Sequence, residues 1–292
     1  MINNDPEPFV ETLSIESPPP EHNFFFTTVD LLRLFFTVII YDLIAGMIAS
    51  IVLTGNRSLS MQWFQSLVKI FIYLFPVLMT VFRAVKRAKY NGNNFGIAAK
   101  KISVGLVPVI LVLALSLVIP FSALSGLIPL PKLFKTMFAD MVSPDLISLL
   151  LICLIAPVLE EILCRGIVLQ GLLNRYSPVK AIFFSALFFS VIHLNPWQGI
   201  PAFFIGLIAG WMYFNWQSIL PAIVLHAAYN TGVVCFSLFH IAQKNAEFFT
   251  GSRYLIVMLG SALIFGFTWL IIRARVFNRL PVAQIQPIQP SG

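Results

Sequence analysis

Two adjacent glutamates, Glu160 and Glu161, stand with Arg165 inside an otherwise apolar stretch that opens at Leu146. A charged side chain in apolar surroundings of this length costs several kcal/mol unless it is paired or hydrated, so each one calls for a chemical reason. On a helix Glu161 and Arg165 lie one turn apart on a common face and can pair, whereas Glu160 points about 100° round and remains free. The bland alternative is that both glutamates only anchor Arg165 against a neighbouring helix. Downstream, Phe189-Ser-Val-Ile-His193 ends one apolar run, and His226-Ala-Ala-Tyr-Asn230 places His226 and Asn230 one turn apart in another. A lone histidine in an apolar helix is ordinarily a hydrogen-bonded core residue. Two of them, with an unpaired glutamate and a same-face asparagine spread over three helices, point to a site.

These residue types suit hydrolysis of a peptide bond. Such a reaction needs a base to activate water and donors for the oxyanion that develops on the scissile carbonyl. Glu160 is placed to be the base, with His193 sharing the water, and His226 and Asn230 then supply the oxyanion donors. One preorganised donor is worth about 3 to 4 kcal/mol of barrier, which makes Asn230 a strong test position. Glu160, His193 and His226 are also zinc-ligand types, and two histidines plus a carboxylate with an open fourth position would make a catalytic zinc centre. No H-E-x-x-H sequence occurs, and Asn230 is a poor zinc ligand but a good oxyanion donor. The expectation is therefore no cofactor, with zinc as the alternative.

The three signatures Glu160-Glu161-x-x-x-Arg165, Phe189-x-x-x-His193 and His226-x-x-x-Asn230, in this order on separate helices, resemble those of the CAAX-prenyl-protease and bacteriocin-processing membrane proteins, the CPBP or Abi group. The resemblance covers about Leu146 to Leu238, and eight spans look like the prenyl-protein endopeptidase branch. It implies the same roles for Glu160, His193, His226 and Asn230, with Glu161, Arg165 and Phe189 supporting the site. It also implies a membrane-associated protein or peptide as substrate: a prenylated CAAX protein, a bacteriocin leader or another lipidated peptide.

The elements that must carry these residues are apolar helices. Of 292 residues 58% are hydrophobic and 11% charged, against roughly a quarter charged in soluble domains. Continuous apolar runs rather than short alternating strands argue for an all-α, polytopic transmembrane bundle. Eight runs are expected to form spans: Val29 to Leu53, Leu67 to Phe82, Ile102 to Leu124, Leu146 to Leu173, Ala181 to Leu194, Ile200 to Phe214, Ile219 to Leu238 and Tyr254 to Ile272. The fifth and sixth are only about 15 residues long, short enough to be tilted, re-entrant or shielded by neighbours. Leu194-Asn195-Pro196 reads as a stop after the fifth.

The organisation expected is an acidic, Pro-punctuated disordered tail over 1–28, N-terminal spans over 29–145, a catalytic core over 146–238, a last loop and span over 239–279, and a flexible tail over 280–292. Basic residues cluster after the second run (Arg83, Lys86, Arg87, Lys89, Lys100, Lys101) and after the eighth (Arg273, Arg275, Arg279). Such clusters stay inside, which puts both termini in the cytoplasm of what is taken to be a bacterial plasma membrane. The net charge of +7 is explained by these connections, and the expected partners are membrane lipids and the substrate, not nucleic acid. Cys153, Cys164 and Cys235 lie inside apolar runs and read as packing residues. Asp30 with Arg33, and Asp42, interrupt the first run and read as packing; His240 reads as interfacial and His22 as inert.

Two other functions compete. A transporter would line an ion path with Glu160, Glu161, His193 and His226, but transporters usually show related halves, and here the polar residues are confined to the second half. A non-catalytic scaffold or immunity protein would keep the constellation and act by binding.

Overall fold

The computed structural model describes residues 27–55, 62–90, 96–129, 131–132, 145–238 and 251–277. Among the described residues eight long helices form: α1 Thr28–Gly55, α2 Gln62–Tyr90, α3 Val107–Gly126, α4 Leu146–Leu173, α5 Pro178–Val191, α6 Pro196–Trp216, α7 Leu220–Leu238 and α8 Gly251–Phe277. All but α5 are long and apolar enough to cross a membrane. Among the described residues no strand forms, and a single bridge joins Ala99 to Ser218. The chain is an all-α, multi-pass membrane protein. His22, His240 and the two tails lie outside the described residues.

Every expected run coincides with a helix, and the fifth is as short as expected, but the sixth is longer. The fifth has 14 residues, about 21 Å at 1.5 Å per residue and well short of a roughly 30 Å hydrocarbon core. The sixth has 21 residues and is long enough. Its start was obscured because Asn195-Pro196 both ends α5 and begins α6. Asn195 Oδ1 accepts from the backbone N–H of Gln198 at 2.9 Å, and Pro196 fills the first helical position, where a missing N–H costs nothing. Between the helices the chain turns through Leu194 at φ 55°, a left-handed conformation that a residue with a Cβ adopts at a cost of about 1 to 2 kcal/mol.

Short connections and small residues hold the second half together. Hydrophobic association gives no advantage between helices in lipid, so close backbone approach matters more. The glycines of α6 provide it against α5: a Cβ on Gly206 would come within 3.1 Å of Ala186, and one on Gly210 within 3.1 Å of Ile182. Ser190 Oγ donates to Gly199 O at 2.7 Å across the same seam. At the far end of α6, Gln217 at φ 47° caps the helix. The next residues strap down residues 96–103, with Ser218 Oγ donating to Lys100 O at 2.7 Å and Ile219 N donating to Ala98 O at 2.8 Å.

Two buried clusters share α6. One joins it to α1, α2, α4 and α5 around Ile167, Phe188 and Phe189. The other joins it to α3, α7 and α8 around Ile110, Met212 and Leu225. The outward face of α8, with Leu255, Leu259, Leu263, Phe267 and Leu270 exposed, is what a lipid-facing helix presents. Asp30 pairs with Arg33 at 3.6 Å, and all three cysteines are free thiols.

Candidate active site

The helix that carries the glutamates is not regular. α4 widens to π geometry twice, over Leu151–Ile155 and Ile162–Leu169, on either side of the α-helical turn and a half Ala156–Glu161. A widened turn leaves carbonyls needing donors, and such bulges gather at functional sites. Each has a carbonyl taken up by a neighbouring helix: Asn230 Nδ2 of α7 donates to Ile152 O at 3.1 Å, and Ser185 Oγ of α5 donates to Cys164 O at 3.0 Å. The segment bearing Glu160 and Glu161 is thus clamped at both ends by side chains of other helices.

Glu161 and Arg165 form the pair that their spacing allows, and the site is built on it. Both side chains are 0% exposed, with Arg165 Nη1 at 2.7 Å from Glu161 Oε1. Arg165 Nη2 donates to Gly206 O at 2.9 Å, and its guanidinium lies 4.9 Å over the Phe189 ring. The same Glu161 Oε1 accepts from His226 Nδ1 at 3.0 Å. With Nδ1–H committed, Nε2 is the nitrogen that His226 turns to Glu160, whose Oε2 is 3.7 Å away.

Glu160 is the accessible carboxylate, its side chain 21% exposed. It opens on a cavity of about 270 Å³ whose lining includes His193, His226, Asn230 and Phe189. His193 Nδ1 is 2.8 Å from Phe189 O. A carbonyl oxygen only accepts, so Nδ1 donates and Nε2 of the neutral ring keeps its lone pair. Phe189 separates the groups: its ring centroid is 5.1 Å from that of His193 and 5.2 Å from that of His226.

Around one cavity, then, stand an accessible carboxylate, a histidine with a free Nε2, a second histidine fixed by a buried carboxylate, and an amide. That set can deprotonate a water and offer N–H groups to a developing oxyanion. Glu161 and Arg165 lie behind this surface and do not line the cavity. As for a metal, both histidines have the Nδ1 partners that a zinc-ligating imidazole would have. Among the described residues, however, no three His, Cys, Asp or Glu side chains group closely enough to hold an ion.

Several lining residues escaped the sequence reading. Tyr73 comes from α2, a helix without a signature, and nothing in sequence marks it. Trp197 and Gln198 come from the first turn of α6. The spacing Asn195-x-x-Gln198, read as a helix start, would have found Gln198. The Glu161–His226 bond joins residues 65 positions apart and has no local signal.

Residues 142–232 match the family model described as type II CAAX prenyl endopeptidase Rce1-like. No curated protein and no solved structure matches the chain. The matched residues span all three signatures, Glu160 to Arg165, Phe189 to His193 and His226 to Asn230.

Proposed function

We propose that the protein is an intramembrane endopeptidase that hydrolyses a peptide bond in a membrane-associated substrate, of the prenylated CAAX or lipidated leader kind, by glutamate-activated water. The observation that carries the reading is the division of labour between the adjacent carboxylates. Glu161 is sealed off and bonded to Arg165 and His226, while Glu160 faces the cavity it shares with His193.

In this reaction Glu160, as carboxylate, takes a proton from a water held between it and His193 Nε2, and the hydroxide attacks the scissile carbonyl. The oxyanion is met by an N–H of Asn230, which has one N–H beyond that given to Ile152, and by His226 Nε2–H when that ring is protonated. Glu160 then returns the proton to the leaving amine. No metal takes part in these steps. Both termini are cytoplasmic in this account, so a cysteine at position 93 should resist labelling from outside and one at position 130 should react; the reverse would overturn the orientation. The experiment for the function compares membrane proteomes of cells carrying the unsubstituted chain or Glu160→Ala. Uncut membrane-associated precursors should accumulate with the variant, and identical peptide termini in the two would refute a proteolytic role.

A further inference from the structure

Gln198 stands in the cavity lining at the first turn of α6, outside the three signatures. Its amide is oriented by a chain of bonds in which each donor is fixed by its partner. His193 O, a carbonyl, accepts from Asn195 Nδ2 at 2.7 Å, so that atom of Asn195 must be nitrogen. The backbone N–H of Gln198 donates to the other atom, Asn195 Oδ1, at 2.9 Å, which agrees. Asn195 Nδ2 is also 2.7 Å from the Gln198 side chain, so the Gln198 atom it meets must be the acceptor, Oε1. What remains is Nε2 with two N–H donors, and among the described residues none accepts from it.

The support around this amide is rigid. Trp197 Nε1 donates to Ile128 O at 3.1 Å and Ser125 Oγ donates to Trp197 O at 3.0 Å. Ser190 Oγ holds Gly199 O. Gln198 is thereby fixed from both sides in sequence, just after the α5–α6 connection that carries His193. A half-buried donor pair held in this way beside a cavity suits a ligand that offers carbonyl oxygens. An extended peptide offers one at every residue.

We propose that Gln198 is a substrate-binding residue, donating from Nε2 to a backbone carbonyl of the peptide next to the scissile bond. This rests on the endopeptidase reading above. The Asn195 clamp makes the amide a one-way donor, and through Asn195 the contact is coupled to the position of His193. Binding of this kind is made in the ground state and kept in the transition state, so its loss raises KM and leaves kcat nearly unchanged.

The test uses purified full-length chain in lipid–detergent micelles with lipid-anchored fluorogenic peptides, comparing it with Gln198→Glu and Gln198→Met. The glutamate keeps an acceptor for Asn195 but turns an acceptor toward the substrate; the methionine keeps length without polarity. Both should raise KM by about tenfold with kcat within about threefold. Peptides carrying a thioamide, a weak acceptor, at each position in turn should identify one that raises KM for the unsubstituted chain but not for Gln198→Met. Unchanged KM in folded variants, or sensitivity to that thioamide persisting in Gln198→Met, overturns the inference while leaving the peptidase reading intact. Absence of cleavage of any peptide by the unsubstituted chain refutes the peptidase reading, and this inference with it. Should Gln198→Met not fold, Gln198→Glu gives the same reading, because it preserves the bond with Asn195.

Discussion

Removing the charge from one member of the Glu161–Arg165 pair should cost more stability than removing both. Arg165→Met leaves a carboxylate that is 0% exposed with only the His226 Nδ1–H as donor. Glu161→Gln keeps an oxygen for Arg165 and His226 but leaves a fully buried guanidinium without a counter-charge. Breaking a buried pair in this way costs about 3 to 5 kcal/mol. The double variant has no uncompensated charge and loses chiefly the hydrogen bond to Gly206 O and the stacking on Phe189, about 2 to 3 kcal/mol together. The two sites should therefore be coupled by at least about 3 kcal/mol. Equilibrium unfolding by SDS titration in mixed micelles, followed by tryptophan fluorescence, reads each variant. Single substitutions costing less than about 1 kcal/mol, or a double variant equal to their sum, would refute the view that the site stands on this pair.

Leu194→Gly should be neutral or stabilising by up to about 1 kcal/mol, because glycine adopts the positive φ freely, whereas β-branched Leu194→Val should destabilise by about 1 to 2 kcal/mol; the opposite order in thermal melts would contradict the strain argument. Asn230→Ala should lower kcat about 100- to 1000-fold through the lost oxyanion donor while costing only about 1 kcal/mol from the bond to Ile152 O, so near-normal turnover in a folded variant would remove it from the reaction. Protein freed of metal by chelation, verified by elemental analysis, should keep most of its peptidase activity, and loss restored by zinc would decide for a Glu160, His193, His226 metal centre.

The spans and the three signatures were legible because each is written locally. Apolar length marks a membrane helix, and four-residue spacing pairs Glu161 with Arg165 and aligns His226 with Asn230. What escaped depends on other helices. The widened turns of α4 exist where Asn230 and Ser185 can satisfy the freed carbonyls, and no periodicity within α4 announces a donor on α5 or α7. The sequence suggests Asn230 as an oxyanion donor and gives no sign of its bond to Ile152 O. Spacing pairs Glu161 with Arg165 alone, and its second bond, to His226, crosses from α4 to α7. The start of α6 was missed because Asn195, Trp197 and Gln198 interrupt the apolar pattern, although as cap, anchor and lining they belong to the helix.

The central claim is that Glu160 activates the water. Glu160→Gln changes one oxygen to an amide and leaves the buried Glu161, Arg165 and His226 bonds untouched, so the protein should unfold at the same SDS concentration as the unsubstituted chain. Its rate of cleavage of a membrane-tethered peptide should fall by about 100- to 10,000-fold, the range expected on loss of a general base. A folded Glu160→Gln protein that cleaves within a few-fold of the unsubstituted rate would contradict the account.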